Sequence, residues 1–194
     1  MTAAPSRGRR PGTPDTRGDI VEAARRSFAE HGYDRTSMRA VARAAGVDPA
    51  LVHHYFAGKE DLFLAAMEMP FDPRELLPPV LTGRPDELGE RLVRVVLEVW
   101  DGPARPQLLG VMRAGLATES ASSLLRDGLL RLILAQIAAV PGIDEPSRRA
   151  SLVAAQVVGL LVTRYVVPVE PLASMPADQV AALVGPTLQR YVYG

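Results

Sequence analysis

Three histidines and no cysteine are the whole stock of soft nucleophiles and nitrogen ligands in this 194-residue chain. Two of them, His53 and His54, are adjacent. On a helix they point about 100° apart, so they do not chelate one metal easily. Without cysteine there is no disulfide framework, no thiol nucleophile and no cysteine zinc site. No glycine-rich phosphate loop is visible either. A nucleophile–base arrangement therefore has little material, and the expectation is no enzyme, no metal and no cofactor. What His53 and His54 can do is donate hydrogen bonds to a polyanion. One lysine, Lys59, and several arginines lie near them.

The charge distribution supports that chemistry. The net charge is zero overall, yet residues 1–59 hold ten Lys or Arg against six Asp or Glu, a net of +4. The remainder holds twelve against sixteen, a net of −4. A basic first part joined to an acidic remainder suggests that only the first part meets nucleic acid. At 47% apolar residues the chain is globular and long enough for a real core. No apolar run reaches the roughly 18 residues of a membrane span. The longest candidate, 152–169, is interrupted by Gln156, Arg164 and Pro168. No membrane is expected, and the absence of a secretory apolar segment points to the cytoplasm.

The elements that must position these residues are helical nearly throughout, with no convincing strand alternation. Thr16 and Asp19 have capping-box spacing ahead of a helix at about 17–31, which Gly32 closes. Thr36 and Ser37 open a second helix that Gly46 stops. Asp48 caps a third, with Pro49 at its first position. Glu60 and Asp61 begin a fourth. Residues 70–85 hold five prolines, so they read as an irregular connection with at most a turn of helix at 74–77. Further amphipathic helices follow at about 86–101, 104–119, 121–140, 146–167 and 177–192. The expected architecture is all-α, about nine helices, in three parts. These are a flexible basic arm at 1–14, a DNA-binding domain at 15–68 with its motif at 37–56, and a helical domain at 69–194.

Two short helices joined by a tight glycine turn form a helix-turn-helix when the second can be offered to DNA. Ala42 and Ala45 are small enough for a close crossing, and Val47 and Val52 seal the underside against Val41 and Phe28. Pro49, Ala50, Leu51, His53 and His54 then face outward, with Arg39 and Arg43 alongside.

The run TSMRAVARAAGVDPALVHHYFAGKEDLF resembles the signature of the TetR family of transcriptional regulators, over roughly residues 15–68. That resemblance implies a homodimeric DNA-binding repressor, released from a palindromic operator on double-stranded DNA by a small-molecule effector. It makes Pro49–Tyr55 the recognition helix. It places His53 where the family usually has a phosphate-contacting tyrosine, and matches Lys59 to a phosphate-pairing lysine. Phe56 matches an aromatic that packs beneath the motif. For Tyr55, phosphate contact and packing stay equally open. No Arg, Gln or Asn lies between Asp48 and Phe56, so bidentate readout of guanine or adenine by those types is missing. Leu51 and Ala50 can touch thymine methyls, while Arg39, Lys59 and the arm supply phosphate contacts.

The same resemblance assigns effector binding and dimerisation to the second part. Trp100, Met112, Arg113 and Leu116 fall on two helices that usually wall the family's cavity. Gln156 and Arg164 are polar positions on an otherwise apolar stripe, so each needs a pocket group or an interface hydrogen bond. A hydrophobic effector is expected, with an anionic group near Arg113 or Arg164. For the dimer, the expected residues are the small pair Ala155 and Gly159 and the stripe Val180, Leu183, Val184 and Leu188. A monomer core would show the same pattern. The need of a two-fold helix-turn-helix protein for paired half-sites favours the interface.

Overall fold

A computed structural model describes residues 15–194, and the expected arm at 1–14 lies outside them. Among the described residues the chain is built of ten helices and no strand. The first is α1 (Thr16–Arg35), interrupted at Gly32, whose φ of 79° is open to glycine and strained for other residues. Its cap is Asp15, not Thr16: the Asp15 carboxylate accepts from the Gly18 amide at 2.9 Å, and Thr16 is drawn into the first turn. Then come α2 (Met38–Ala45) and α3 (Pro49–Tyr55), capped by Ser37 and Asp48, whose side chains accept from Ala40 and Ala50. Between them Gly46 is left-handed, with φ 69°. Thr36 caps nothing. It is buried, and its hydroxyl donates to the Ser27 and Gly32 carbonyls.

Helix α4 (Lys59–Ala66) is followed by α5 (Pro73–Leu81), a helix where the prolines predicted little more than a turn. Pro78 and Pro79 remove two donors, but a short helix has few to lose. Asp72 caps its start through the Arg74 amide, Pro73 fits its first turn, and Leu77 is buried. At its end the Arg91 guanidinium donates twice to the Val80 carbonyl, at 3.1 and 3.0 Å. Arg74 also bonds Asp61 and Glu60, tying α5 to α4. Its hydrogen bonds hold the Asp72 carboxyl below the ordinary carboxylate value, against the opposing effect of burial.

A single turn at Pro85–Glu87 leads into α6 (Leu88–Asp101), and α7 (Arg105–Ala117) follows. The long α8 runs from Glu119–Leu124 through a π-helical stretch, Leu125–Leu130, into Arg131–Ala138. Helix α9 (Pro146–Leu161) ends in another wide turn, Val162–Val166. Among the described residues Pro146–Val166 is the one helix that by length and composition would suffice to cross a bilayer, and it overlaps the 152–169 run that the sequence reading judged too interrupted. It packs instead on α8 and α10 (Ala177–Tyr193). The most extensive helix pairing is α6 on α10. There a Cβ at Gly89 would stand 2.2 Å from the Gly185 carbonyl oxygen, so only glycine allows the crossing.

Two cores matter for the site. One joins Ile20, Phe28, Val41, Val52, Phe56 and Phe63 of the first four helices to Leu124, Leu129 and Leu132 of α8. The other lies among α5, α6, α9 and α10 and includes Ile137 of α8. Helix α8 thus belongs to the packing of both ends of the molecule.

Candidate nucleic-acid interface and ligand cavity

Helix α3 is divided cleanly. Val52 and the following Phe56 are buried, while Pro49, Ala50, His53, His54 and Tyr55 are exposed and Leu51 is half-buried. Burial of Val52 against Val41 and Phe28 fixes the roll of the helix, and the opposite side is left for a ligand. The His54 and Tyr55 rings meet edge-on with centroids 5.2 Å apart. Arg39 and Arg43 lie exposed on α2. At the edge of this face Lys59 donates from Nζ to the Asp34 carbonyl at 3.2 Å and sits 4.3 Å over the Tyr33 ring. Partial burial pushes its pKa below the ordinary lysine value. The Asp34 carbonyl takes one of three ammonium donors, leaving two.

Beyond this face is a cavity of about 130 Å³ among α5, α6, α7, α8 and α9. Every residue in its wall is apolar, including Phe71, Leu77, Val96, Leu129 and Val157. Of the six residues expected at an effector site, Trp100 and Met112 are in that wall. Arg113 and Leu116 are not, because the outer face of α7 carries both into solvent. Gln156 is half-buried and also outside the wall.

Arg164 departs from the reading most directly: it is outside the cavity wall, and its bonds are made within the chain. Its side chain is 7% exposed. Its Nη1 donates to the Leu172 and Met175 carbonyls at 2.7 and 2.8 Å, and its Nε to the Tyr165 hydroxyl at 3.1 Å. It pins the connection between α9 and α10. Tyr165 in turn donates to Asp101 at 3.0 Å and stacks on Trp100, centroids 5.3 Å apart. Burial raises the Tyr165 pKa above the ordinary value, so the phenol stays a neutral donor.

The expected dimer residues separate in the same way. Val180 and Leu188 are fully buried in the chain's own core beside α6, so no partner reaches them, and Val184 is half-buried against that core. Leu183 is 63% exposed and Leu152 40%, with Ala155 and Gly159 exposed beside Leu152 on α9.

The sequence reading missed the junction between the two ends. A Cβ on Gly128, in the wide turn of α8, would fall 2.1 Å from the Phe63 ring. Phe63 packs edge-on to both Phe28 and Tyr33. Arg131, one turn on, pairs with Asp34, whose carbonyl holds Lys59. The wide-turn residues Leu125, Leu129 and Leu130 also line the cavity. A glycine within an apolar helical run was the one available signal, since it marks a close approach.

These features define a helix-turn-helix module whose second helix is presented outward, joined to a helical body holding an apolar cavity. A family model described as "Bacterial regulatory proteins, tetR family" matches residues 20–66. One described as "Tetracyclin repressor-like, C-terminal domain" matches residues 86–192. The chain belongs to the TetR family. A solved TetR-family regulator from Streptomyces coelicolor is 39% identical, over 95% of this chain and 98% of that one, with a TM-score of 0.51. The transcriptional repressor AcnR of Corynebacterium glutamicum is 45% identical over 51 residues, 26% of this chain and 27% of AcnR. The regulator BetI of Brucella anthropi is 43% identical over 54 residues. The chain spans little more than a quarter of the length of these curated relatives, 27% and 28%.

Proposed function

We propose that the chain is a cytoplasmic transcriptional repressor that grips a palindromic operator as a homodimer and releases it when a small molecule fills the cavity. The observation that carries this is the division of α3, with Val52 sealed and His53, His54 and Tyr55 outward. A helix held on one face and bare on the other suits insertion in a major groove. Arg39, Lys59 and the histidines contact phosphate, and Ala50 and Leu51 touch bases. Dimerisation uses Leu152, Ala155, Gly159 and Leu183, which are exposed in the single chain.

Release follows from α8. Its wide turn shares side chains between the cavity and the core beneath α3. A ligand that displaces Leu125 or Leu129 shifts Gly128 against Phe63, and through Arg131 and Asp34 disturbs Lys59. The name repressor rests on AcnR, whose similarity covers the DNA-binding end. A gel shift on the DNA flanking the chain's own gene, at two salt concentrations, tests the reading. Binding at about 50 mM salt that weakens steeply by 200 mM is expected, and no binding at the lower salt contradicts it.

A further inference from the structure

We propose that the ligand of the cavity is a small uncharged apolar molecule, about the size of one six-membered ring, with no ionic head group. This deepens the effector reading above and rests on it for its consequence at DNA. The cavity holds about 130 Å³, and an apolar cavity of roughly 150 Å³ is known to stay dry and to take up benzene. Water needs two to four polar partners to remain in such a space, and this wall is formed by apolar residues alone. A hydrocarbon ring entering it displaces no bound water and breaks no hydrogen bond.

A charged ligand finds no counterpart. The nearby ionic groups are spent on the protein itself: Arg164 on the Leu172 and Met175 carbonyls, and Asp101 on Arg105 and Tyr165. Arg105 also donates to the Trp100 carbonyl, at 3.0 Å. Recruiting any of them to a ligand would empty bonds that hold α6, α7 and the α9–α10 connection. An ionic head group buried without a partner is strongly disfavoured. The expected anionic group near Arg113 therefore gives way to a neutral ligand, because Arg113 is in solvent.

Trp100 is the single tryptophan and stands in the wall, so its emission reports the cavity directly. The full chain is titrated with toluene, benzoate and benzylammonium. Toluene is expected to change Trp100 emission saturably, and the two ions to bind weaker by on the order of 100-fold or more. Ala154→Leu and, separately, Val96→Phe fill the cavity and should remove the toluene response. The proposal is overturned if toluene gives no saturable response, if either ion binds as tightly as toluene, or if the response survives in both filled variants. Should a variant not fold, the comparison of the three probes on the unaltered chain still decides. Failure of the regulator reading is seen separately, as ligand-free protein that binds no DNA while toluene still titrates Trp100.

Discussion

Helix α3, proposed to face DNA, and the cavity wall are opposite solutions to placing apolar side chains. In α3 Val52 is buried, with Phe56 behind it, while Pro49, Ala50 and the rings of His53, His54 and Tyr55 are exposed. Around the cavity, side chains from five helices converge and leave a space none of them fills. The first arrangement holds a surface rigidly for a large charged partner. The second leaves packing undone, so its walls can move when something small completes it. Helix α8 is common to both, and its wide turn at Leu125–Leu130 is where a change in one would reach the other.

The strongest way to break this comparison is to disrupt the proposed dimer. Leu183→Asp places a charge on the exposed face of α10 and should lower affinity for a two-half-site operator by on the order of 100-fold or more, because linked binding is lost. Sedimentation must then show a monomer; an unchanged dimer would remove Leu183 from the interface. Next is the junction. Gly128→Ala drives a methyl into the Phe63 ring and should cost about 1–3 kcal/mol of stability. Thermal unfolding reads that cost, and DNA affinity should fall together with it. If affinity holds while stability falls, α8 is structural and carries no signal.

Arg164→Met separates the cavity from its support. Two carbonyls lose their donor, for an expected loss of about 1–3 kcal/mol, while Trp100 still reports toluene. Lys59→Ala has the smallest effect. It should weaken binding to all sequences alike and reduce the salt slope by about 1.8, roughly 0.9 for each Lys59 of the proposed dimer. A variant with an unaltered slope would show that Lys59 only braces Asp34 and Tyr33.

Acid provides one more contrast. The Asp72 carboxyl is held below its ordinary value, chiefly by Arg74, so its charged form favours the folded state. That stability is present above the unfolded value and is lost as pH falls through the lowered folded value. Unfolding midpoints followed below about pH 4 should drop more steeply in the natural chain than in Asp72→Asn.

How much of this was legible in the sequence follows from how local each cause is. Caps, glycine turns and the division of α3 depend on neighbours a few residues apart, and Ser37, Gly46, Asp48 and Val52 stand as read. Helix α5 was hidden because part of its support comes from outside its proline-rich run, from Arg91 at its end and from Asp61 and Glu60, which Arg74 reaches on α4. Val180 and Leu188 form a stripe that suits a partner subunit or the chain's own α6 equally, and only the fold decides. Arg164 misled for the same reason: its partners are backbone carbonyls, which have no signature in sequence. The cavity is a space between five helices, and no spacing of residues along one helix can announce it.

The central claim is that α3 holds DNA and the cavity releases it, as separable parts of one mechanism. The most direct measurement is anisotropy of a labelled fragment flanking the chain's own gene, run on the natural chain, a His53→Ala/His54→Ala variant and Ala154→Leu. The account predicts that the histidine variant loses affinity while keeping the Trp100 response to toluene, that toluene lowers the DNA affinity of the natural chain, and that Ala154→Leu loses both the Trp100 response and any effect of toluene on its affinity. Equal DNA binding by the natural chain and the histidine variant would contradict it.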